Sequence, residues 1–305
     1  MVKKWRTILY SGGKVLKTMS TLIDGLSLGS IYALIALGYT MVYGIAKMLN
    51  FAHGDIIMVG AYAILSTIAL TGNPAVAVVI SIIVCTLLGV LTEKLAYRPL
   101  RGASPLAVLI TAIGVSYLLQ SIAQLIYGAK SQPVSIGNFG SVAIFGTKIS
   151  VATLITLIVG AVIMVALTLF IKKTKIGRAM LAVSEDKGAA QLMGINVNMI
   201  ITTTFAIGSA LAAFASTFYL MQIPSTSPTL GSMPGIKAFT AAVIGGIGSI
   251  PGAMLGGVLL GIIEKLSLSV PKLAPYTTAL EFSLLIIILL VKPTGILGKQ
   301  IREKV

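Results

Sequence analysis

Long apolar runs separated by short polar breaks dominate this chain, and their lengths decide what they can be. A hydrocarbon core of about 30 Å needs roughly 20 consecutive apolar residues in helical form. On that measure residues 22–44, 52–70, 75–95, 105–127, 150–171, 199–221 and 277–291 each predict a membrane-crossing helix. Residues 236–268 are different: a mostly apolar run of 33 residues. As one helix they would run about 50 Å, too long for one crossing. Their centre, GGIGSIPG (Gly245–Gly252), breaks the run into two short halves, either two short crossings or a re-entrant hairpin. The expected fold class is all-α. It is a polytopic helical membrane protein with about 8 membrane segments plus broken or re-entrant elements, a single transmembrane domain over residues 1–305.

Two polar breaks stand out. Residues 172–198 carry Lys172, Lys173, Lys175, Arg178, Glu185, Asp186 and Lys187, so they lie in water. Ser184 is placed to cap a helix with Glu185 and Asp186 in its first turn, where the dipole favours carboxylates. Ala189, Leu192 and Met193 then share a face, and Gly194 is a plausible stop. Such a helix over 185–193 is roughly 14 Å long and marginal alone in water. It must dock against its own protein or a partner. The second break, LNFAHGD (Leu49–Asp55), puts Asn50, His53 and Asp55 between apolar runs. Polar residues at membrane depth tend to mark a pathway or gate. An interfacial turn capped by Asn50 or Asp55 is the other reading.

Composition agrees with the pattern: 56% of the 305 residues are hydrophobic and only 10% charged, against about 25% charged in soluble domains. The +15 net charge does not point to nucleic acid, because the cations gather in short loops and at the termini. Residues 94–104 hold 3 Lys and Arg, 172–198 hold 5 and 292–305 hold 4, against 2 in 128–149 and none in 222–235. The first three segments are therefore expected on the cytoplasmic side. The N-terminus conflicts with this. Lys3, Lys4, Arg6, Lys14 and Lys17 argue for the same side, while three runs before residue 94 argue for the other. A broken or re-entrant segment near 44–60 would reconcile them. Trp5 and Tyr10 suit an interface, and the first apolar run reads as retained rather than as a cleaved signal peptide.

Little in the sequence suggests chemistry. Cys85 is the sole cysteine, which leaves no disulfide and no cysteine-based metal site. Gly-Leu-Ser-Leu-Gly (Gly25–Gly29) matches G-x-S-x-G but opens a membrane span instead of a strand–turn–helix. An intramembrane hydrolase using Ser27 and His53 would need that setting. Helix packing through small residues explains the motif better, as it does Gly252/Gly256 and Gly257/Gly261. Asp24, Glu93, Glu264 and Glu281 fall near predicted span ends or breaks and read as interfacial anchors or caps, with a transport role as the rival. GGKVLKT (Gly12–Thr18) has the wrong order for a phosphate-binding loop. No cofactor, metal or catalytic residue is expected, and any ATP-driven cycle needs another subunit. An ion-coupled transporter or channel working alone is the alternative, weakened by the scarcity of mid-span ionisable residues.

Four stretches together resemble a known family: Leu28–Tyr62, Gly177–Asn196, Gly235–Gly257 and PTGILG (Pro293–Gly298). They are similar to the permease subunit of branched-chain amino acid ABC importers. The resemblance implies a bacterial or archaeal inner-membrane permease for leucine, isoleucine and valine, or a related small substrate. It implies a second homologous permease subunit, two ATP-binding subunits and an extracytoplasmic substrate-binding protein, all within membrane lipid and with no nucleic acid. It also gives the 172–198 loop a role, a short helix fitting a cleft on the ATPase. Glu185, Asp186, Ala189, Ala190 and Gly194 would be its coupling residues. Leu28–Leu34 (LGSIYAL) and Ile207–Ala213 (IGSALAA) hint at an internal repeat.

Overall fold

The computed structural model describes residues 2–137, 139–144 and 147–298, with side chains from residue 18 onward except at 144 and 147. Trp5, Tyr10 and the terminal cations Lys3, Lys4, Arg6, Lys14, Lys17, Lys299, Arg302 and Lys304 lie outside the described side chains. Among the described residues the helices are α1 (Val2–Ala46), α2 (His53–Thr71), α3 (Pro74–Thr92), α4 (Pro105–Tyr127), α5 (Val151–Lys173), α6 (Lys175–Glu185), α7 (Lys187–Leu192), α8 (Val197–Gln222), α9 (Ser232–Gly245), α10 (Ile250–Ser269) and α11 (Thr277–Val291). Eight helices are long and apolar enough to cross a membrane, and α6, α7 and α9 are not among them. Local chemistry sets the starts. Asn73, Ser104, Ser150, Thr174, Asn196 and Ser249 each accept a bond from a first-turn amide. Proline opens α3 and α4, where its missing N–H costs nothing.

The axis of the bundle is α1. Of its most apolar stretch 94% is buried, against 17% for α4 and 11% for the last span. Small residues allow this. The α1 helix runs antiparallel to α10, and a Cβ at Gly29 would lie 2.7 Å from Val258 Cα and one at Gly25 2.9 Å from Ile262 Cα. Gly257 and Gly261 press on Ala33 and Gly29 in return. The G-x-S-x-G match is thus a helix seam. Ser27 accepts a bond from Gln222 Nε2 at 2.8 Å. His53 packs against Gly38, three turns along α1, roughly 16 Å by helical rise. No Ser27–His53 dyad exists.

These pairings sort the loops into two ends. The basic end gathers the close of α1, residues 93–104, the α6–α7 region, the 246–249 turn and residues 292–298. There Lys187 bonds Ala46, Arg101 meets Asn198, and Ile296 and Leu297 N–H donate to Ile244 and Gly245. The opposite end gathers Asp24 with Thr153, the 128–150 loop and residues 222–230, where Gln132 and Pro133 pair with Thr226 and Ser225. A hairpin of 141–144 with 147–150 lies in that loop. The break near 44–60 is present but does not reconcile the N-terminus. Helix α2 starts inside the bundle and still leaves at the opposite end, so the described start of α1 lies opposite the 94–104 loop.

The 236–268 run resolves into α9 and α10, turned at Gly246, whose φ of +108° suits only glycine. With 14 residues, α9 is about 21 Å long, short of a crossing. The irregular 223–231 segment makes up the rest of the depth.

Candidate translocation and coupling sites

Two interrupted elements meet inside the bundle. Helix α2 begins at His53, whose ring stands edge-on to Tyr39 with centroids 4.9 Å apart. Helix α9 begins at Ser232, and the two N-terminal turns touch through glycines. A Cβ on Gly54 would lie 2.5 Å from Gly231 O, and one on Gly235 2.9 Å from Gly54 Cα. No larger residue fits without moving a helix. Neither start has a side-chain cap, which removes the reading of Asn50 or Asp55 as a cap of α2.

Asn50, His53 and Asp55 are all buried inside the protein, at 1–2% exposure. They divide into two places. Asn50 Oδ1 accepts a 2.7 Å bond from Tyr97 OH, towards the basic end. Asp55 sits at the junction itself. Its carboxylate accepts bonds from Ser116 Oγ and, at 2.9 Å, from Gln120 Nε2, and Gln120 also reaches Ser232 Oγ at 3.3 Å. Among the described residues Asp55 has no cationic partner. Neutral donors and the helix N-termini offset its charge. Ser116, Gln120 and Ser232 are half-buried beside exposed Tyr117, Met233 and Ile236, so the cluster lies near a face of the bundle.

On the far side of α9 lies a second polar cluster. Lys237 Nζ is 2.8 Å from Glu264 Oε1 and 3.2 Å from Glu281 Oε1, and Tyr32 OH donates to Glu264 Oε2 at 2.7 Å. Glu281 is fully buried and Lys237 8% exposed. The expectation of interfacial anchors at Glu264 and Glu281 is therefore corrected. Both point inward because Lys237, on the short helix, gives them a cation away from water. Glu93 is likewise buried, holding Arg101 and accepting Thr202 Oγ1 at 2.7 Å.

The charged loop forms two helices instead of one. The cap of the second is Asp186, not Ser184. Asp186 is extended (φ −153°) and its Oδ1 accepts from Gly188 N at 2.7 Å and Ala189 N at 2.9 Å. Ser184 is already helical, in α6, and donates back to Leu181 O. Gly194, with φ +81°, ends α7 as expected. Ala190 faces its own protein at 4% exposure, whereas Leu192 and Met193 are 90% and 82% exposed and Glu185 and Ala189 are exposed too. Lys187 Nζ donates to Ala46 O at 2.8 Å, tying α7 to the end of α1. Burial, then Arg101 and Lys47, hold its pKa below the ordinary lysine value. A cavity of about 570 Å³ opens beside it, bounded by Arg101, Gln191, Gly194 and Asn196.

Sequence reasoning missed Ser116, Gln120, Ser232 and Lys237. The three neutral residues give no signal, since polar side chains on apolar spans are common. Lys237 gave one: it is a cation near the start of the broken 236–268 run, far from that run's other charges, Glu264 and Lys265. No group of His, Cys, Asp or Glu able to hold a metal occurs among the described residues.

Residues 21–290 match the family described as branched-chain amino acid transport system, permease component. The chain is 46% identical over 301 residues to the high-affinity branched-chain amino acid transport system permease protein BraD of Pseudomonas aeruginosa, covering 94% of this chain and 98% of that one. It is 44% identical to the permease LivH of Escherichia coli K12, with 94% and 97% covered. A ribose import permease of Haemophilus influenzae is 24% identical over 268 residues, with 85% and 80% covered.

Proposed function

The chain belongs to the branched-chain amino acid transport permease family, and from that footing we propose that it forms half of the translocation pathway of an ATP-driven importer. The substrates are leucine, isoleucine and valine, delivered by an extracytoplasmic binding protein. A second, related permease completes the pathway, and two ATP-binding subunits dock on the basic end. That end, with residues 94–104, 172–198 and 292–298, is cytoplasmic by its excess of Lys and Arg.

The observation that carries this reading is the α6–α7 loop. A capped helix of six residues presents Leu192 and Met193 to water. Exposed apolar pairs on a rigid tip mark a docking surface. Helix α7 is in turn fastened to Ala46 through Lys187. Movement imposed on the tip passes to the end of α1, then through residues 47–52 to the junction at His53 and Asp55. In this proposal Glu185, Asp186, Ala189 and Gly194 belong to the docking surface, while Ala190 seats α7 on its own protein. Asp55, with Ser116, Gln120 and Ser232, lines or gates the pathway.

Affinity purification from native membranes tests the proposal. ATP-binding subunits should co-purify, and Leu192→Asp/Met193→Asp should lose most of them while the permease stays folded. Reconstituted alone, the chain should show no concentrative uptake. Uptake by the lone chain driven by an ion gradient would sink the reading.

A further inference from the structure

Helix α3 does not stop at Thr92. It widens into a π turn over Glu93–Tyr97, tightens into a 3-10 turn over Arg98–Leu100, and so departs from α-helical register where the span meets the basic end. The turn sends Glu93 inward, onto Arg101 and Thr202. Lys94 and Arg98 are left facing outward, exposed and one turn apart.

Between these cations and the start of α8 lies an open cavity of about 350 Å³, which Asn196, Asn198, Thr202 and Thr203 complete. Among the described residues neither Lys94 nor Arg98 is in an ion pair, and Glu93, their neighbour in the chain, is paired with Arg101. The groove therefore carries two uncompensated positive charges beside the side-chain amides of Asn196 and Asn198, whose oxygens are engaged and whose N–H groups face no acceptor among the described residues. Its surroundings are apolar. Ile83, Leu87 and Leu91 follow one another at helical spacing down α3 from Lys94, at 48%, 63% and 53% exposure, and Met199 on the α8 side is 60% exposed.

We propose that this groove binds the headgroup of an anionic phospholipid. The phosphate would sit between Lys94 and Arg98, with side-chain amide donors from Asn196 and Asn198, and an acyl chain would lie along Leu91, Leu87 and Ile83. The charge sign, the depth at a span end and the apolar track below it all suit a lipid. An acidic protein surface would match the cations but not the track. A bound lipid would brace α3 against α8 at the point where Glu93, Arg101 and Asn198 already join them.

The test uses the full-length permease within its transporter, in nanodiscs of equal parts phosphatidylcholine and phosphatidylglycerol. Native mass spectrometry reads the lipid retained. The wild type should retain phosphatidylglycerol preferentially. Lys94→Gln/Arg98→Gln should lower that preference about 30-fold, equivalent to roughly 2 kcal/mol at about 1 kcal/mol per basic residue. Lys94→Arg should keep it, as should Lys130→Gln/Lys148→Gln at the opposite end. If the double variant fails to fold, each single Gln variant should still lower the preference about fivefold by the same reckoning. Three results would overturn the proposal: equal retention by the wild type and the Gln variants; loss of the wild-type preference on adding inorganic phosphate alone; or loss of a partner subunit rather than of lipid.

Discussion

Helix α9 separates two clusters of buried carboxylates, and they are charged differently. On one side Glu264 and Glu281 surround Lys237, two anions on one cation, with Tyr32 completing Glu264. On the other side Asp55 has only the neutral donors Ser116 and Gln120. An ion pair in a dry interior is rigid, because separating its members exposes a bare charge in low dielectric. A carboxylate held by neutral amide and hydroxyl groups gives them up at lower cost. The first cluster therefore clamps α9 to α10 and α11. The second can exchange partners, and it lies where two uncapped helix starts abut. In the proposed cycle one short helix would carry a clamp on one side and a hinge on the other.

The largest effect should come from breaking the clamp. Lys237→Met leaves Glu264 and Glu281 with no cation between them. Removing one member of a buried pair costs about 3–5 kcal/mol, enough to abolish folding of a marginally stable bundle. Little monodisperse protein should be recovered by size-exclusion chromatography. Adding Glu264→Gln and Glu281→Gln to Lys237→Met should restore much of it. Failure to restore it would mean that Lys237 acts by packing its stem and not by charge.

A smaller effect on folding and a larger one on transport should follow at the hinge. Asp55→Asn keeps the shape and one acceptor oxygen but removes the charge that holds Ser116 and Gln120. The variant should fold with a melting temperature close to the wild type, because no buried cation is left bare. Uptake by the assembled transporter should fall at least tenfold, or about 1.4 kcal/mol, with ATP hydrolysis retained. A strong loss of melting temperature with normal uptake per folded molecule would reverse the two roles.

Most of the fold was legible in the sequence because membrane depth acts on length and hydropathy alone. Seven of the eight long spans and the Gly245–Gly252 break follow from that, whereas for 236–268 length alone allows two short crossings or a hairpin, and α10 is instead a full-length span after the short α9. The junction was half legible. His53 and Asp55 stood out as polar residues between apolar runs, but the donors to Asp55, Ser116 and Gln120, lie 61 and 65 residues away, and Ser232 joins only through Gln120. No local pattern encodes such a pairing. The α7 cap was misjudged by two residues because Ser184 and Asp186 are both good caps, and only backbone conformation chooses between them. Glu264 and Glu281 were misread for a plainer reason. A carboxylate near a span end resembles an anchor unless the cation that draws it inward is known.

The smallest effect should come from the surplus charge of the clamp, and it tests the comparison most closely. Two carboxylates share one ammonium, and they are not equivalent. Glu264 receives both Lys237 and Tyr32, whereas Glu281 bonds Lys237 through Oε1 while its Oε2, also buried, has no hydrogen-bond partner. Glu281→Gln keeps the acceptor facing Lys237, removes one buried negative charge and turns a donor towards the place of the unpaired oxygen. Its melting temperature should match or slightly exceed that of the wild type. Glu264→Gln should be the costlier of the two, because the charge accepting from both Lys237 and Tyr32 is lost. If Glu281→Gln proved the more damaging, Glu281 would be the true counter-ion of Lys237. The clamp would then bear chiefly on α11 and only secondarily on α10. Either order keeps α9 fixed on this side, so the mobility assigned to Asp55 would still have to come from the α2 and α4 side of the junction.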